Sequence, residues 1–164
     1  MSSAPFQIIP VRTKDDLEAT KALFDAYAAS LGINLSYQNF VAEMAAMPGK
    51  YAPPKGELLL ARDKDGIAIG CVGLRPLDDD GVCEMKRLYV APGGRGLGLG
   101  RALAEAIVGH ARRIGYREMR LDTLPSLTAA IALYEDIGFA AIPAYYDTPI
   151  AGTLFFSLRL SPGS

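Results

Sequence analysis

The stretch from Leu88 to Val108 constrains the fold more than any other: L-Y-V-A-P-G-G-R-G-L-G-L-G-R-A-L-A-E-A-I-V. An apolar strand runs into a glycine-rich turn, and the turn opens a helix. Gly94, Gly96, Gly98 and Gly100 recur at every second residue. Glycine lets a backbone approach a ligand closely, and a helix N-terminus offers unpaired N–H groups with partial positive charge. The segment is therefore built to hold phosphate. It also sets one parallel crossover, because a strand and helix of this length return the chain to a neighbouring parallel strand.

The rest of the chain fits around that unit. Phe6–Val11 reads as a first strand. Thr13 caps a helix that has acidic residues in its first turn, an apolar stripe of Leu17, Leu23, Phe24 and Tyr27, and Gly32 at its end. A second helical piece runs from about Tyr37 to Met47. Glu57–Arg62, Ile67–Pro76 and Val82–Val90 read as three strands. The turns between them, D-K-D-G and D-D-D-G, are hairpin signals, so the three are antiparallel neighbours. The D-D-D at 78–80 is read as a solvated turn. The helix Leu99–Ile114 places Leu103, Ile107, Ala111 and Ile114 on one face. Strand Glu118–Leu124 and helix Ser126–Ile137 follow, and Phe139–Tyr146 and Gly152–Leu160 are the last strands. The predicted order is β-α-α-β-β-β-α-β-α-β-β, a single-domain mixed α/β fold whose largely antiparallel sheet is flanked by helices. Residues 1–164 read as one domain.

Composition narrows the function. The chain has 164 residues, half of them apolar, and a net charge of −1. A nucleic-acid binder is usually basic, so no nucleic-acid partner is expected. No apolar run approaches the roughly twenty residues a membrane-spanning helix needs, and no membrane partner is expected. The first ten residues lack the basic start and apolar middle of a signal peptide. Cys71 and Cys83 fit no zinc or C-x-x-C spacing and read as buried thiols, so the expected compartment is the cytoplasm, and no metal is expected.

Three phosphate-binding patterns compete for the glycines. The dinucleotide fingerprint G-x-G-x-x-G fits at no start position, although Asp122 lies about where that fold carries its ribose-binding acid. A Walker A loop needs Lys-Ser or Lys-Thr after the glycines, and none follows. The third pattern, R-x-x-G-x-G, is matched by Arg95-Gly-Leu-Gly98-Leu-Gly100. Together with V-A-P-G-G before it and I-A-L-Y-E-D-I-G-F at 131–139, this resembles the acyl-CoA motifs of the Gcn5-related N-acetyltransferase family. The element order is also that family's, and the resemblance covers nearly the whole chain.

The resemblance implies acetyl-CoA as co-substrate. The amides of Gly96, Leu97, Gly98, Leu99, Gly100, Arg101 and Ala102 would cradle the pyrophosphate, with Arg95 and Arg101 adding positive charge at the rim. The backbone of Leu88, Tyr89 and Val90 would pair with the pantetheine arm like an added strand. Tyr134 would be the general acid that protonates the departing thiolate, and the N–H near Leu88 the oxyanion donor. Glu84 would be the general base, acting through water; read from its surroundings alone, it equally suits a partner for Lys86 or a nearby arginine. Many family members carry an asparagine where this chain has Leu127, so one polar contact to the cofactor arm falls to Ser126 or Thr128. The single histidine, His110, reads as an ordinary helix-face residue.

The acceptor would lie between the first helix pair and the final hairpin, which supply Tyr27, Tyr37, Tyr51, Tyr145, Tyr146 and Asp147. Of these, Tyr27, Tyr145 and Tyr146 are the candidate substrate contacts. The expected reaction is transfer of an acetyl group to a primary amine of a small molecule or peptide, by direct attack in a ternary complex. Two alternatives stay open at this point: an acyl-CoA-binding sensor without turnover, and an NAD-type protein using Asp122. A homodimer is open to the chain, since many members pair, although no interface signature stands out.

Overall fold

A computed structural model describes residues 5–32 and 39–160. Tyr37, the first residues expected of the second helix and the S-P-G-S tail lie outside the described residues. The elements are β1 (Phe6–Pro10), α1 (Lys14–Leu31), α2 (Phe40–Ala46), β2 (Glu57–Asp63), β3 (Ala68–Pro76), β4 (Val82–Val90), α3 (Leu99–Ile114), β5 (Glu118–Thr123), α4 (Thr128–Ile137), β6 (Ala140–Ala141) and β7 (Leu154–Arg159). Seven strands form one sheet in the order β1-β2-β3-β4-β5-β7-β6. Every pair is antiparallel except β4–β5. The predicted order and mixed sheet are observed.

Local chemistry explains the helix limits. Thr13 Oγ1 accepts the Asp16 N–H at 3.1 Å, and Gly32 ends α1 with φ of 65°. The central strands are buried on both faces. Leu58, Leu60 and Cys71 pack with Leu23 and Phe24 of α1. Leu59, Ala61 and Val72 pack with Leu103, Ile107 and Ala111 of α3. The period-two alternation of a strand thus divides two cores. Ile114, expected on the buried face of α3, is 40% exposed in the last turn before the Gly115 cap.

The last strands differ from expectation. The predicted strand Phe139–Tyr146 shrinks to Ala140–Ala141, with one further rung from Ile142 N–H to Phe155 O at 2.9 Å. Pro143 then lacks the N–H another rung would need, and the chain leaves the sheet. This departure frees Tyr145 and Tyr146 to fold back over β4 and β5.

Two irregularities open the sheet where a ligand fits. First, β4 pairs with β5 only through Val82, Cys83 and Glu84, whereas β5 stays paired to β7 as far as Thr123. Beyond Glu84, β4 and β5 part. Second, Cys71 faces Tyr89 while Gly73 faces Lys86, so β4 carries one extra residue opposite Val72. The bulge contains Arg87, a non-glycine residue at φ of 60°.

Candidate active site

The parting of β4 and β5 forms a cleft of about 190 Å³. Leu88, Tyr89, Val90 and Arg95 form one wall, and Asp122, Leu127 and Tyr134 line the other side. The glycine turn enters α3 directly above this strand. Gly96 and Gly98 have φ of 82° and 74°, and a Cβ built on either meets no atom within 4 Å. Their backbone needs glycine, and the space beside them is open rather than filled by the protein. Gly98 is the N-cap of α3, and no side chain caps the helix. The amides of its first turn are therefore left to an outside acceptor, and the residues present suit an anionic group such as a pyrophosphate.

The remaining cradle residues divide by role. The side chain of Leu99 is 1% exposed and sits in the core, so only its amide serves the cradle. Leu97 is partly exposed. Arg101 is ion-paired to Asp136 of α4 on an exposed surface. Leu127 is among the residues that line the cleft.

Tyr134 projects from α4 into the cleft and is 7% exposed. Its ring lies edge-on to Phe139, with centroids 5.8 Å apart. Burial, with Tyr27 and Asp122 nearby, raises the phenol above its ordinary pKa. The hydroxyl keeps its proton at neutral pH and stands as a donor. Tyr27, a candidate substrate contact, also lines this cleft, edge-on to Tyr89 at 5.9 Å.

A second hollow, of about 570 Å³, lies between α2, the turn at Gly49–Tyr51, the ends of β3 and β4, and the chain around Tyr145. Glu84, the candidate base, and Tyr145 and Tyr146, candidate substrate contacts, line it together with Glu43, Arg75 and Lys86. Glu84 is 1% exposed. Its Oε1 accepts from Arg75 Nε at 2.8 Å and its Oε2 from the Tyr145 hydroxyl at 2.5 Å. The Tyr146 hydroxyl donates to Asp122 Oδ2. Both rings stack edge-on against Phe155, at 5.2 and 5.3 Å. Burial first, and then the Glu84 charge, raises the Tyr145 phenol above its ordinary range.

Lys86 lines both the cleft and the second hollow. Its Nζ lies 3.6 Å from Asp122 Oδ1, and burial lowers its pKa. Behind it, Glu43 of α2 takes two hydrogen bonds from Arg87, at 3.2 and 3.3 Å, and one from the Tyr51 hydroxyl at 3.0 Å. The Arg87 guanidinium lies over the Phe40 ring at 5.1 Å. Glu43, Arg75, Arg87 and the position of Lys86 between the two hollows were missed in the sequence. One contact had a signal. A hairpin centred on the D-D-D-G turn places Arg75 opposite Glu84, and the register shows that pair. His110 lines neither hollow and lies 3.9 Å from Glu57.

An uncapped helix start thus opens onto a split between parallel strands that holds a buried phenol. Residues 22–139 match the acetyltransferase (GNAT) family. The chain belongs to that family. It is 40% identical over 161 residues to a Schizosaccharomyces pombe protein named an uncharacterized N-acetyltransferase, covering 98% of this chain and 99% of the relative. It is 30% identical over 149 residues to human N-acetylaspartate synthetase, covering 80% of this chain and 49% of that protein. A Salmonella typhimurium structure, solved with its cofactor acetyl-CoA, superposes with a TM-score of 0.68 at 22% identity, covering 97% of this chain and 96% of that one. This acetyltransferase is an acetyl-CoA-dependent N-acetyltransferase. Its Asp122 is engaged by Tyr146 and Lys86, and the dinucleotide reading is set aside.

Proposed function

We propose that the acetyltransferase acetylates a small free amine bound in the second hollow, with Tyr134 as general acid and Glu84 as general base. The observation that carries this reading is that the cofactor cleft and the hollow share Lys86 as a common wall. An amine in the hollow meets a thioester in the cleft at that point. A free α-amine also suits the relatives named N-acetylaspartate synthetase.

The amides of Gly96 to Arg101 hold the pyrophosphate, whereas the Ala102 N–H expected to join them already donates to Gly98 O at 3.2 Å, and the edge of Leu88 to Val90 left open by β5 takes the pantetheine arm. Acetyl-CoA supplies an activated acyl carbon. The acceptor ammonium first loses a proton toward Glu84, relayed by the Tyr145 hydroxyl that rests on its carboxylate, or by one water. The amine nitrogen then forms its bond to the acyl carbon while the carbon–sulfur bond breaks. The Leu88 N–H, on the part of β4 that β5 has left, donates to the developing oxyanion. The nitrogen loses a second proton as the amide forms. Tyr134 gives a proton to the thiolate, and the same burial that holds the phenol's proton also makes a thiolate beside it more basic. One proton is retained in the thiol and one reaches solvent.

Cys71 and Cys83 are buried free thiols, and burial pushes Cys83 up to about 12. This inertness suits a reducing compartment such as the cytoplasm. Thiol release from acetyl-CoA across a panel of free amines tests the reading. Amine-dependent release supports it. Tight acetyl-CoA binding with no release for any free amine overturns it.

A further inference from the structure

Arg75 makes one side-chain hydrogen bond, to Glu84, and one longer ion pair, to Glu43. Its Nε donates to Glu84 Oε1 at 2.8 Å, and its Nη1 lies 3.7 Å from Glu43 Oε1, too far for a hydrogen bond. Among the described residues, the Nη groups make no hydrogen bond. No buried side-chain nitrogen or oxygen among those residues lacks a partner, so the Nη groups are not sealed in the protein. They open into the hollow that Arg75 lines. An arginine pinned at Nε that presents its planar outer edge to a cavity is a receptor for a carboxylate, which that edge binds through two parallel N–H···O bonds.

Its partner supplies the other half of the pattern. Glu84 is the group proposed above to receive the acceptor's proton, and it sits beside Arg75 as a negative charge next to a positive one. An α-amino acid carries an ammonium and a carboxylate one carbon apart. Its two charges complement the Arg75–Glu84 pair, with the carboxylate on Arg75 and the ammonium toward Glu84. The wider hollow points the same way. Its lining holds Lys50, Arg75 and Lys86 against Glu43, Asp78 and Glu84, three cations and three anions. A balanced cavity desolvates a zwitterion at lower cost than a lone ammonium, which would bring an uncompensated charge. Tyr145 and Tyr146 spend their hydroxyls on Glu84 and Asp122, which leaves ring surface for an uncharged side chain.

We infer that the acceptor is a free α-amino acid whose carboxylate is read by Arg75. This rests on the proposed acetylation of a small amine in the same hollow. The test compares each common L-amino acid with its α-amide and with the amine lacking the carboxylate, in acetyl-CoA turnover. A companion titration adds the same compounds to the protein saturated with CoA, where no reaction occurs. The expected result is that loss of the carboxylate lowers kcat/KM roughly 10- to 100-fold. This holds even for the amide, whose amine gives up its proton more readily. The amino acid, and not its analogues, should bind the CoA complex. Arg75→Lys keeps the charge beside Glu84 but loses the planar fork, and it should close most of that gap. Equal turnover with and without the carboxylate overturns the inference and leaves amine acetylation standing. Failure of every small amine to react, with acetyl-CoA bound, overturns both.

Discussion

Arg75 and Glu84 face one another across the β3–β4 ladder, and Arg75 Nε donates to Glu84 Oε1 at 2.8 Å. The carboxylate proposed as base is therefore fixed by a strand register, with Tyr145 closing its other oxygen. Rigid strands, rather than a loop, set the distance between the base and the cleft.

Glu84→Gln preserves the shape and an acceptor oxygen while removing the charge. It should lower kcat by about 100-fold or more, as loss of a general base does. The Kd for acetyl-CoA, proposed to bind in the cleft, should stay within about twofold by calorimetry. A kcat near the wild-type value removes Glu84 from the chemistry.

Tyr134→Phe keeps the ring packed on Phe139 and deletes the proton donor. The expected outcome is a fall of about 100-fold in kcat, with acetyl-CoA affinity and urea midpoint nearly unchanged. An equal loss in binding would make Tyr134 a cofactor contact instead.

Gly98 and Gly70 should fail in opposite ways. At Gly98, φ is 74° but the space beside it is open. Gly98→Asp costs about 1 kcal/mol of backbone strain, because aspartate tolerates this region. Its charge, placed where the pyrophosphate is proposed to bind, should abolish acetyl-CoA binding. At Gly70, a Cβ would meet Leu99 Cδ2 at 2.8 Å, so Gly70→Ala should lower the urea midpoint first. Retained binding in Gly98→Asp would place the cradle elsewhere.

Arg87 and Glu43 form a pair with side chains 2% and 10% exposed. Glu43→Ala would remove the carboxylate that takes two hydrogen bonds from this buried arginine, a loss of about 3 kcal/mol or more in chemical denaturation. A loss under about 1 kcal/mol would show that the bulge at Arg87 stands without its clamp.

Alkaline pH should destabilise the fold. Burial raises the phenols of Tyr51, Tyr134 and Tyr145, so the native state keeps protons that the unfolded chain loses from about pH 10. Their stabilisation is complete below that pH and falls as pH rises through the native values. Lys86, with its lowered pKa, works in the opposite sense and its effect saturates near the ordinary lysine range. Thermal midpoints recorded upward from pH 9 should therefore decline above about pH 10, and a flat profile would contradict the burial of these hydroxyls.

What the sequence revealed followed from short-range physics. The Asp-Gly turns fixed two hairpins, Thr13 and Gly32 bounded α1, and the glycine spacing marked the cradle. Three features escaped it because they depend on tertiary contacts. Phe139–Tyr146 has the residues of a strand, yet Pro143 and the pull of Glu84 and Asp122 on two tyrosine hydroxyls take it out of the sheet. The bulge at Arg87 leaves no composition signal, since its positive φ is carried by an arginine tied to Glu43. The edge-on packing of Tyr27 of α1 against Tyr89 of β4 is likewise a tertiary contact that its place in the sequence does not reveal.

The central claim is direct transfer between the two hollows that meet at Lys86. Initial rates with acetyl-CoA and the best amine from the panel varied together test it most directly. Intersecting double-reciprocal lines are predicted, because both substrates must be bound before the acetyl group moves. Parallel lines, with acetyl retained on the protein when the amine is left out, would contradict it.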